Sequence, residues 1–221
     1  MVISNRSYDR EQSTVTLGND VIQIKNNCKF LGVFLDDKLN FTEHIRHVLN
    51  KLSRSAGILY RIRDSLPIAA RMNFYYAFIY PYLTYNVTIW GGTNATHIRP
   101  IITQQKRIIR TICNSQKFDS TSILFYQLKI LKFVDIYRFN MCTYMHTSIS
   151  EGKYRIIHDL NTRNSTNNLA SSKYHRLTTC QQAVSYRGPQ IWNSLPAYLR
   201  DIKSLSLFKN KLRSYFINQY Q

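Results

Sequence analysis

Asp36 and Asp37 are adjacent carboxylates behind an aromatic residue, in Phe34-Leu35-Asp36-Asp37, and are the pair in this sequence best suited to holding divalent metal ions. Two metal ions about 4 Å apart can activate a hydroxyl and support a triphosphate, but they need a third carboxylate from an earlier strand. Only Asp9, Glu11 and Asp20 lie upstream. The plainer role of Asp36 and Asp37, shared with Asn40, is turn formation, because short polar side chains hydrogen-bond the local backbone. His158 stands near Arg163, but no nucleophile or ligand cluster accompanies it, which points to a structural or phosphate contact. Cys28, Cys113, Cys142 and Cys180 are scattered and form no C-x-x-C pair, so the thiols read as reduced and the chain as intracellular, in nucleus or cytoplasm. No catalytic residue, metal site or small-molecule substrate is assigned.

Positive charge is the stronger signal. The 221 residues carry 30 Lys and Arg against 12 Asp and Glu, a formal charge of +18, with a pI near 9.9. Such an excess points first to nucleic acid and second to an anionic membrane surface. The hydrophobic content of 44% is enough for a packed core. Met1 to Gln12 is polar and lacks an apolar stretch, so no secretory signal is expected.

The elements that must position these charges follow from periodicity. Ser13 to Leu17 and Val21 to Lys25 alternate around Gly18-Asn19-Asp20, a hairpin pattern, and Phe30 to Leu35 is a strand-length apolar run with Gly32 inside it. Together they predict a small three-stranded edge. Asn40 and Glu43 have capping-box spacing at the start of a long helix. In that helix Ile45, Val48, Leu49, Leu52, Ala56 and Leu59 share one face, with Arg46, Lys51, Arg54 and Arg61 opposite. Residues 46 to 71 hold six basic residues against Asp64 alone, a bias that favours a phosphate-facing surface over simple solvation.

Leu66-Pro67 ends that helix. Met72 to Thr96 is uncharged and long enough to span a bilayer, but five tyrosines, Asn73, Asn86 and Pro81 make it too polar. Buried helices broken at Pro81 are expected instead, with no membrane partner. A further helix places Ile98, Ile101, Ile102, Ile108, Ile109 and Ile112 on one face and Lys106, Arg107 and Arg110 off it. Short helices near Ile123 to Gln127 and Val134 to His146 follow, then a polar loop from about 148 to 172. Near the end, Gly188-Pro189 reads as a turn and Trp192 as a buried anchor. Leu205, Phe208, Leu212 and Phe216 form the stripe of a last helix carrying Lys209, Lys211 and Arg213.

Several blocks carry a family likeness. Phe30-Leu31-Gly32-Val33, Leu35-Asp36, Leu39, Phe41 and His44-Ile45 resemble the segment after the catalytic hairpin in reverse transcriptases of jockey-like non-LTR retrotransposons. Tyr76-Ala77-Phe78, Pro81-Tyr82-Leu83-Thr84-Tyr85, Trp90-Gly91 and Gln105 to Arg110 extend the resemblance. So do Leu128 to Leu131, His158 with Asn161-Thr162-Arg163, and Tyr186-Arg187-Gly188-Pro189-Gln190-Ile191-Trp192-Asn193-Ser194-Leu195-Pro196. The resemblance implies a mainly α chain with a palm-tail β remnant at 1–39, a thumb-like helical region at 40–115 and a C-terminal helical region at 116–221. It places Asp36 in the later Leu-Asp position, outside the catalytic hairpin, and implies a chain that starts in the middle of a fold. Such a fragment would need no cofactor of its own, Mg²⁺ belonging to the intact parent polymerase. Its partners would be RNA or an RNA–DNA hybrid and the missing polymerase core. The rival reading is a stand-alone nucleic-acid-binding or structural protein derived from such an element.

The residues to test as a nucleic-acid surface are Lys51, Arg54, Arg61, Lys106, Arg107, Arg110, Lys209, Lys211 and Arg213. Gly32, Trp90, Gly188, Pro189 and Trp192 are the structural signature.

Overall fold

Two short antiparallel hairpins precede a run of helices in the computed structural model, which describes residues 15–18, 20–22, 25–116, 119–154, 170 and 178–221. Strand β1 (Val15–Leu17) pairs with β2 (Asp20–Ile22), and β3 (Asn27–Phe30) pairs with β4 (Val33–Asp36). The expected three-stranded edge is instead two separate two-stranded sheets. The reason is local: Leu31 and Gly32 both have positive φ, 45° and 81°, the signature of a two-residue type I′ turn. That turn folds Phe30 back on Val33, so Gly32 lies at a hairpin tip, not inside a strand. What approaches it is the Tyr85 ring, 3.3 Å from where a Cβ would sit, and the Tyr85 hydroxyl donates to the Leu31 carbonyl at 2.7 Å.

Helix α1 (Thr42–Ile62) starts behind Phe41, which has φ 57° and no side-chain cap. The anticipated Asn40–Glu43 capping box is absent, because Asp36 takes its place from the preceding strand. Asp36 Oδ1 accepts from the Lys38 and Asn40 amides, and Oδ2 from the Thr42 amide, at 2.8–3.3 Å. Glu43 turns outward to pair with Arg46.

A 3₁₀ turn (Arg63–Ser65) and an extended Leu66 then lead into α2 (Ile68–Phe78), α3 (Tyr80–Thr84) and α4 (Val87–Trp90). The break falls at Ile79, and Pro81 sits in the first turn of α3, where its missing N–H costs no hydrogen bond. One face of this stretch is buried, through Tyr75, Ile79, Leu83, Val87 and Trp90. The other is open: Phe78, Tyr85 and Ile89 are about half exposed, so burial is one-sided. Among the described residues no helix is long and apolar enough to cross a membrane.

Helix α5 (Ala95–Cys113) runs parallel to α1, as hydrogen bonds at both ends record. Thr93 Oγ1 donates to the Asn40 carbonyl at the start, and Asn114 Nδ2 donates to Asp64 Oδ1 at the end. Between them Ile45, Val48, Leu52 and Leu59 meet Ile98, Ile101, Ile108, Ile109 and Ile112, all buried. Burying a side chain of this size stabilises by about 1.5–3 kcal/mol, so this seam dominates the N-terminal half.

The remaining helices are α6 (Thr121–Gln127), α7 (Phe133–Ser150), α8 (Thr178–Gln181), α9 (Val184–Asn193), α10 (Ala197–Arg200) and α11 (Leu205–Asn218). Helix α7 runs through Ser150, past the His146 end expected, so the first residues of the anticipated loop are helical. His158, Asn161, Thr162 and Arg163 lie outside the described residues.

Gly188-Pro189 forms no turn; both are buried inside α9. A residue before proline resists helix because its Cβ and N–H meet the proline ring, and glycine removes the Cβ part of that clash. The same missing Cβ lets α9 approach α7, since a Cβ there would meet Met145 Sδ at 2.7 Å. Trp192 packs beside Phe208 and His146 under α11, as an anchor should. The buried apolar side chains form one cluster from Val33 to Tyr220. At its centre Gln105 donates to Tyr75 Oη and the Leu131 carbonyl and accepts from the Phe133 amide at 2.7 Å.

Candidate nucleic-acid interface

The parallel pairing of α1 and α5 leaves a groove on one side. Ser53, Ala56 and Gly57 are small, and opposite them Gln104, Arg107 and Thr111 line a cavity of about 390 Å³ with Tyr60 and Arg61. Through Tyr60, Arg107 and Thr111 it joins a larger one of about 670 Å³ that adds Arg63 and Arg110. Four arginines therefore converge over two adjacent cavities. The Arg63 guanidinium lies 4.1 Å from the Tyr60 ring centroid, a cation–π contact that holds both side chains at the rim.

The arginines differ in how far they are committed to the protein. Arg110 donates through Nε and Nη2 to the Asp119 carbonyl, and Arg63 pairs with Asp64 at 3.4 Å. Among the described residues Arg107 makes only a long 3.4 Å contact with Gln104 Oε1. Arg61 is exposed and has no hydrogen-bond or ion-pair partner among the described residues. Gly57 belongs to the same surface: nothing lies within 4 Å of where its Cβ would be, and glycine inside a helix costs about 0.5–1 kcal/mol relative to alanine. No packing contact explains it.

The other expected residues fall into three places. Lys51 and Arg54 lie near the middle of α1, within electrostatic reach of His47, as is Lys29. Burial first, then the positive charges of Lys51, Lys29 and Arg54, hold the His47 imidazole below its ordinary pKa. Lys106 points away from Arg107, into a separate cavity of about 320 Å³ with Lys132, Arg138 and Asp135. There Lys132 lies over the Tyr220 ring at 4.1 Å and donates to Ser122 Oγ. Burial, and after it the nearby Lys106 charge, lower the Lys132 pKa against the opposing pull of Asp135. On α11, Lys211 is exposed and Lys209 half-buried, while Arg213 is tied to Tyr76 Oη and the Lys129 carbonyl. Of the residues read from the sequence, Arg61, Arg107 and Arg110 meet. Tyr60, Arg63 and Gly57 join them without having been singled out, although Tyr60-x-x-Arg63 spacing would have flagged one face.

Of the carboxylates upstream of Asp36 and Asp37, Asp9 and Glu11 lie outside the described residues. Both Asp36 oxygens accept backbone N–H bonds, and among the described residues no three His, Cys, Asp or Glu side chains cluster to hold a metal ion. All four cysteines are free thiols, and burial pushes that of Cys142 up to about 12.

No family model and no solved structure matches the chain. Curated relatives do. The chain is 27% identical over 113 residues to the probable RNA-directed DNA polymerase from transposon X-element of Drosophila melanogaster, covering 50% of this chain and 12% of that protein. It is 26% identical over 125 residues to the RNA-directed DNA polymerase from mobile element jockey of the same species, covering 55% and 14%. The jockey protein of Drosophila funebris aligns at 26% over 129 residues, covering 57% and 14%. The aligned stretch thus spans about one-seventh of the relatives' length or less. Over about half its length, then, the chain is related to RNA-directed DNA polymerases of mobile elements.

Proposed function

We propose that this chain is the palm-tail, thumb and C-terminal part of a non-LTR retrotransposon reverse transcriptase, and that it grips the template-primer duplex, RNA or RNA–DNA hybrid, without polymerising alone. The observation that carries this reading is the groove between α1 and α5, where Arg61, Arg63, Arg107 and Arg110 converge beside an unexplained Gly57. Guanidinium groups suit phosphate because their planar donors match its oxygens, and each phosphate neutralised releases counterions. Similarity to polymerases of mobile elements supports the same reading. Catalysis would belong to the rest of the parent, whose carboxylates hold Mg²⁺; here Asp36 is engaged in capping α1 through the Thr42 amide. The exposed hairpin tip, Phe30 and Leu31, is the surface we assign to the polymerase core.

The test is the salt dependence of binding to an RNA–DNA hybrid. Arg61→Gln with Arg107→Gln should weaken binding for every sequence alike and reduce the magnitude of the slope of log K against log salt by about two units, roughly one per lost phosphate contact. Lys106→Gln, on the other face of α5, should leave the slope unchanged. An unaltered slope in a folded double variant removes the groove from the interface, and Mg²⁺-dependent primer extension abolished by Asp36→Ala overturns the non-catalytic reading. Binding to anionic vesicles but not to hybrid would favour a membrane-surface protein.

A further inference from the structure

Across α5 from the arginine groove lies the cavity of about 320 Å³, whose charged and hydroxyl lining comes from three elements. Lys106 stands on α5, Ser122 on α6, and Lys132, Asp135 and Arg138 at the start of α7. Three cations line the cavity with one carboxylate, which leaves two positive charges unmatched among the described lining residues. The carboxylate is itself committed to the protein. Asp135, 6% exposed, accepts the Tyr220 hydroxyl at 2.5 Å through Oδ2 and holds Arg138 only loosely, at 3.5 Å, through Oδ1. Tyr220 in turn accepts from the Lys132 amide at 3.0 Å, and its ring centroid lies 4.1 Å from Lys132 Nζ, which donates to Ser122 Oγ. Lys132 is thereby held in place before any ligand arrives. Lys106 is exposed and has no hydrogen-bond or ion-pair partner among the described residues.

We propose that this cavity binds a phosphate monoester, the dianion carried by the end of a nucleic-acid strand or by a free nucleotide. Charge selects the class. A phosphomonoester brings about two negative charges at neutral pH, matching the two unmatched positive ones, whereas a backbone phosphodiester or a side-chain carboxylate brings one. The donors suit the same group, because the three terminal oxygens of a monoester can accept from ammonium groups and from a hydroxyl together. Ser122 accepts from Lys132, so its own proton is uncommitted among the described residues. Helix α7 is 18 residues long and its first turn lines the cavity, so the helix dipole adds partial positive charge at the same place. Burial lowers the Lys132 pKa, Asp135 offsets this only in part, and the Lys106 charge lowers it further. A dianion beside both lysines would relieve that strain, and an apolar occupant would deepen it. The cavity lies on the other side of α5 from the groove, so the two readings can fail separately.

The first probe needs no nucleic acid: methyl phosphate against dimethyl phosphate, titrated into the full chain and followed through the Lys106 and Lys132 side-chain NMR signals. The monoester should bind about ten-fold tighter, the scale of one charge-assisted hydrogen bond. Lys106→Gln with Arg138→Gln, both at exposed positions, should remove that preference while thermal melting stays unchanged. The second probe names the source. By fluorescence anisotropy, an RNA–DNA hybrid with 5′-phosphate ends should bind about ten-fold tighter than the same hybrid with 5′-hydroxyl ends if a strand end is the ligand. Adenosine monophosphate should outbind methyl phosphate if a free nucleotide is. Lys106→Gln should abolish either gain and leave binding of the hydroxyl-ended hybrid unaltered, whereas Arg61→Gln with Arg107→Gln should weaken both hybrids alike and keep their ratio. Equal affinity for methyl and dimethyl phosphate overturns the site, as does a monoester preference that survives in the folded Lys106→Gln, Arg138→Gln variant. A monoester preference with no gain from strand end or nucleotide overturns the nucleic-acid source and gives the cavity to a phosphorylated protein side chain. Absence of salt-dependent binding to either hybrid, with the monoester preference retained, overturns the proposed function and leaves this site standing.

Discussion

Trp90 and Trp192 each sit with a histidine and a phenylalanine, and the two settings differ in what the histidine bonds to. Around Trp192, His146 stacks on Phe208 with centroids 4.6 Å apart and shares a 2.7 Å hydrogen bond with the Ile202 carbonyl through Nε2. That bond requires the proton on Nε2, so His146 fastens α7 to the turn before α11 and leaves only Nδ1 without a partner. Around Trp90, Phe133 stacks at 5.4 Å and His44 approaches edge-on, but both His44 nitrogens are unpartnered. Trp90 itself is satisfied, its Nε1 donating to the Tyr85 carbonyl at 2.9 Å. The C-terminal histidine is fastened by the protein's own backbone; the N-terminal one is enclosed with both nitrogens unpaired among the described residues. Buried polar groups are nearly always paired, so the His146 contact is a structural joint, while His44 is a buried ring held by aromatic contacts alone.

The largest expected effect tests whether both settings belong to one core. Trp90→Ala and Trp192→Ala should each cost about 3–5 kcal/mol, because each removes a fully buried ring and leaves a void. Urea unfolding should show one transition for both variants, as a single core requires. A biphasic curve in either would separate the two settings into independent units.

Next comes a pH dependence that belongs to the Trp90 setting. His44 has a folded pKa of about 4 against 6.5 when unfolded, so the unfolded chain binds more protons between those values. The contribution of His44 to stability is therefore full above about pH 6.5 and is lost as pH falls toward 4, by up to about 3 kcal/mol. His44→Phe should erase that component of the stability profile. A profile identical in the wild type and the variant would mean that the ring is less enclosed than its contacts indicate.

The smallest effect is the sharpest discriminator. At pH 7, His44→Phe removes two unpaired polar atoms and should leave stability unchanged or raise it by about 1 kcal/mol. His146→Phe deprives the half-buried Ile202 carbonyl of this partner and should cost about 1–2 kcal/mol. Melting temperatures moving in opposite directions would sharpen the contrast between the two settings, and equal losses would abolish it.

Much of the helical framework was legible in the chain. Apolar residues at 3.6-residue spacing named the buried faces of α1 and α5, where Ile45, Val48, Leu52 and Leu59 and five isoleucines are indeed enclosed. The stop at Leu66-Pro67 and the anchoring by Trp192 were legible too, because proline chemistry is local and a large ring gains most from burial. Three local readings failed where a residue several positions away, or a different backbone geometry, took over. Asp36, from the strand, capped α1 at the Thr42 amide in place of Asn40. The Leu31-Gly32 turn cut the apolar run in two. Gly188-Pro189 stayed helical because α7 rewards the close approach that glycine allows.

The candidate site divides along the same line. Residue types alone gave a basic chain with charge off each apolar stripe, since a stripe that must be buried leaves its charged neighbours outside. Which charges meet was decided only when α1 and α5 aligned in parallel, tied at Asn40–Thr93 and Asp64–Asn114. That alignment joined Arg61 and Arg63 to Arg107 and Arg110, and turned Lys106 to the opposite side with Lys132. Helical periodicity states the angle of a side chain about its own axis and nothing about the axis beside it. For the same reason the aromatic environment of His44 could not be read from His44-Ile45, because it is made by Trp90 and Phe34 from two other elements.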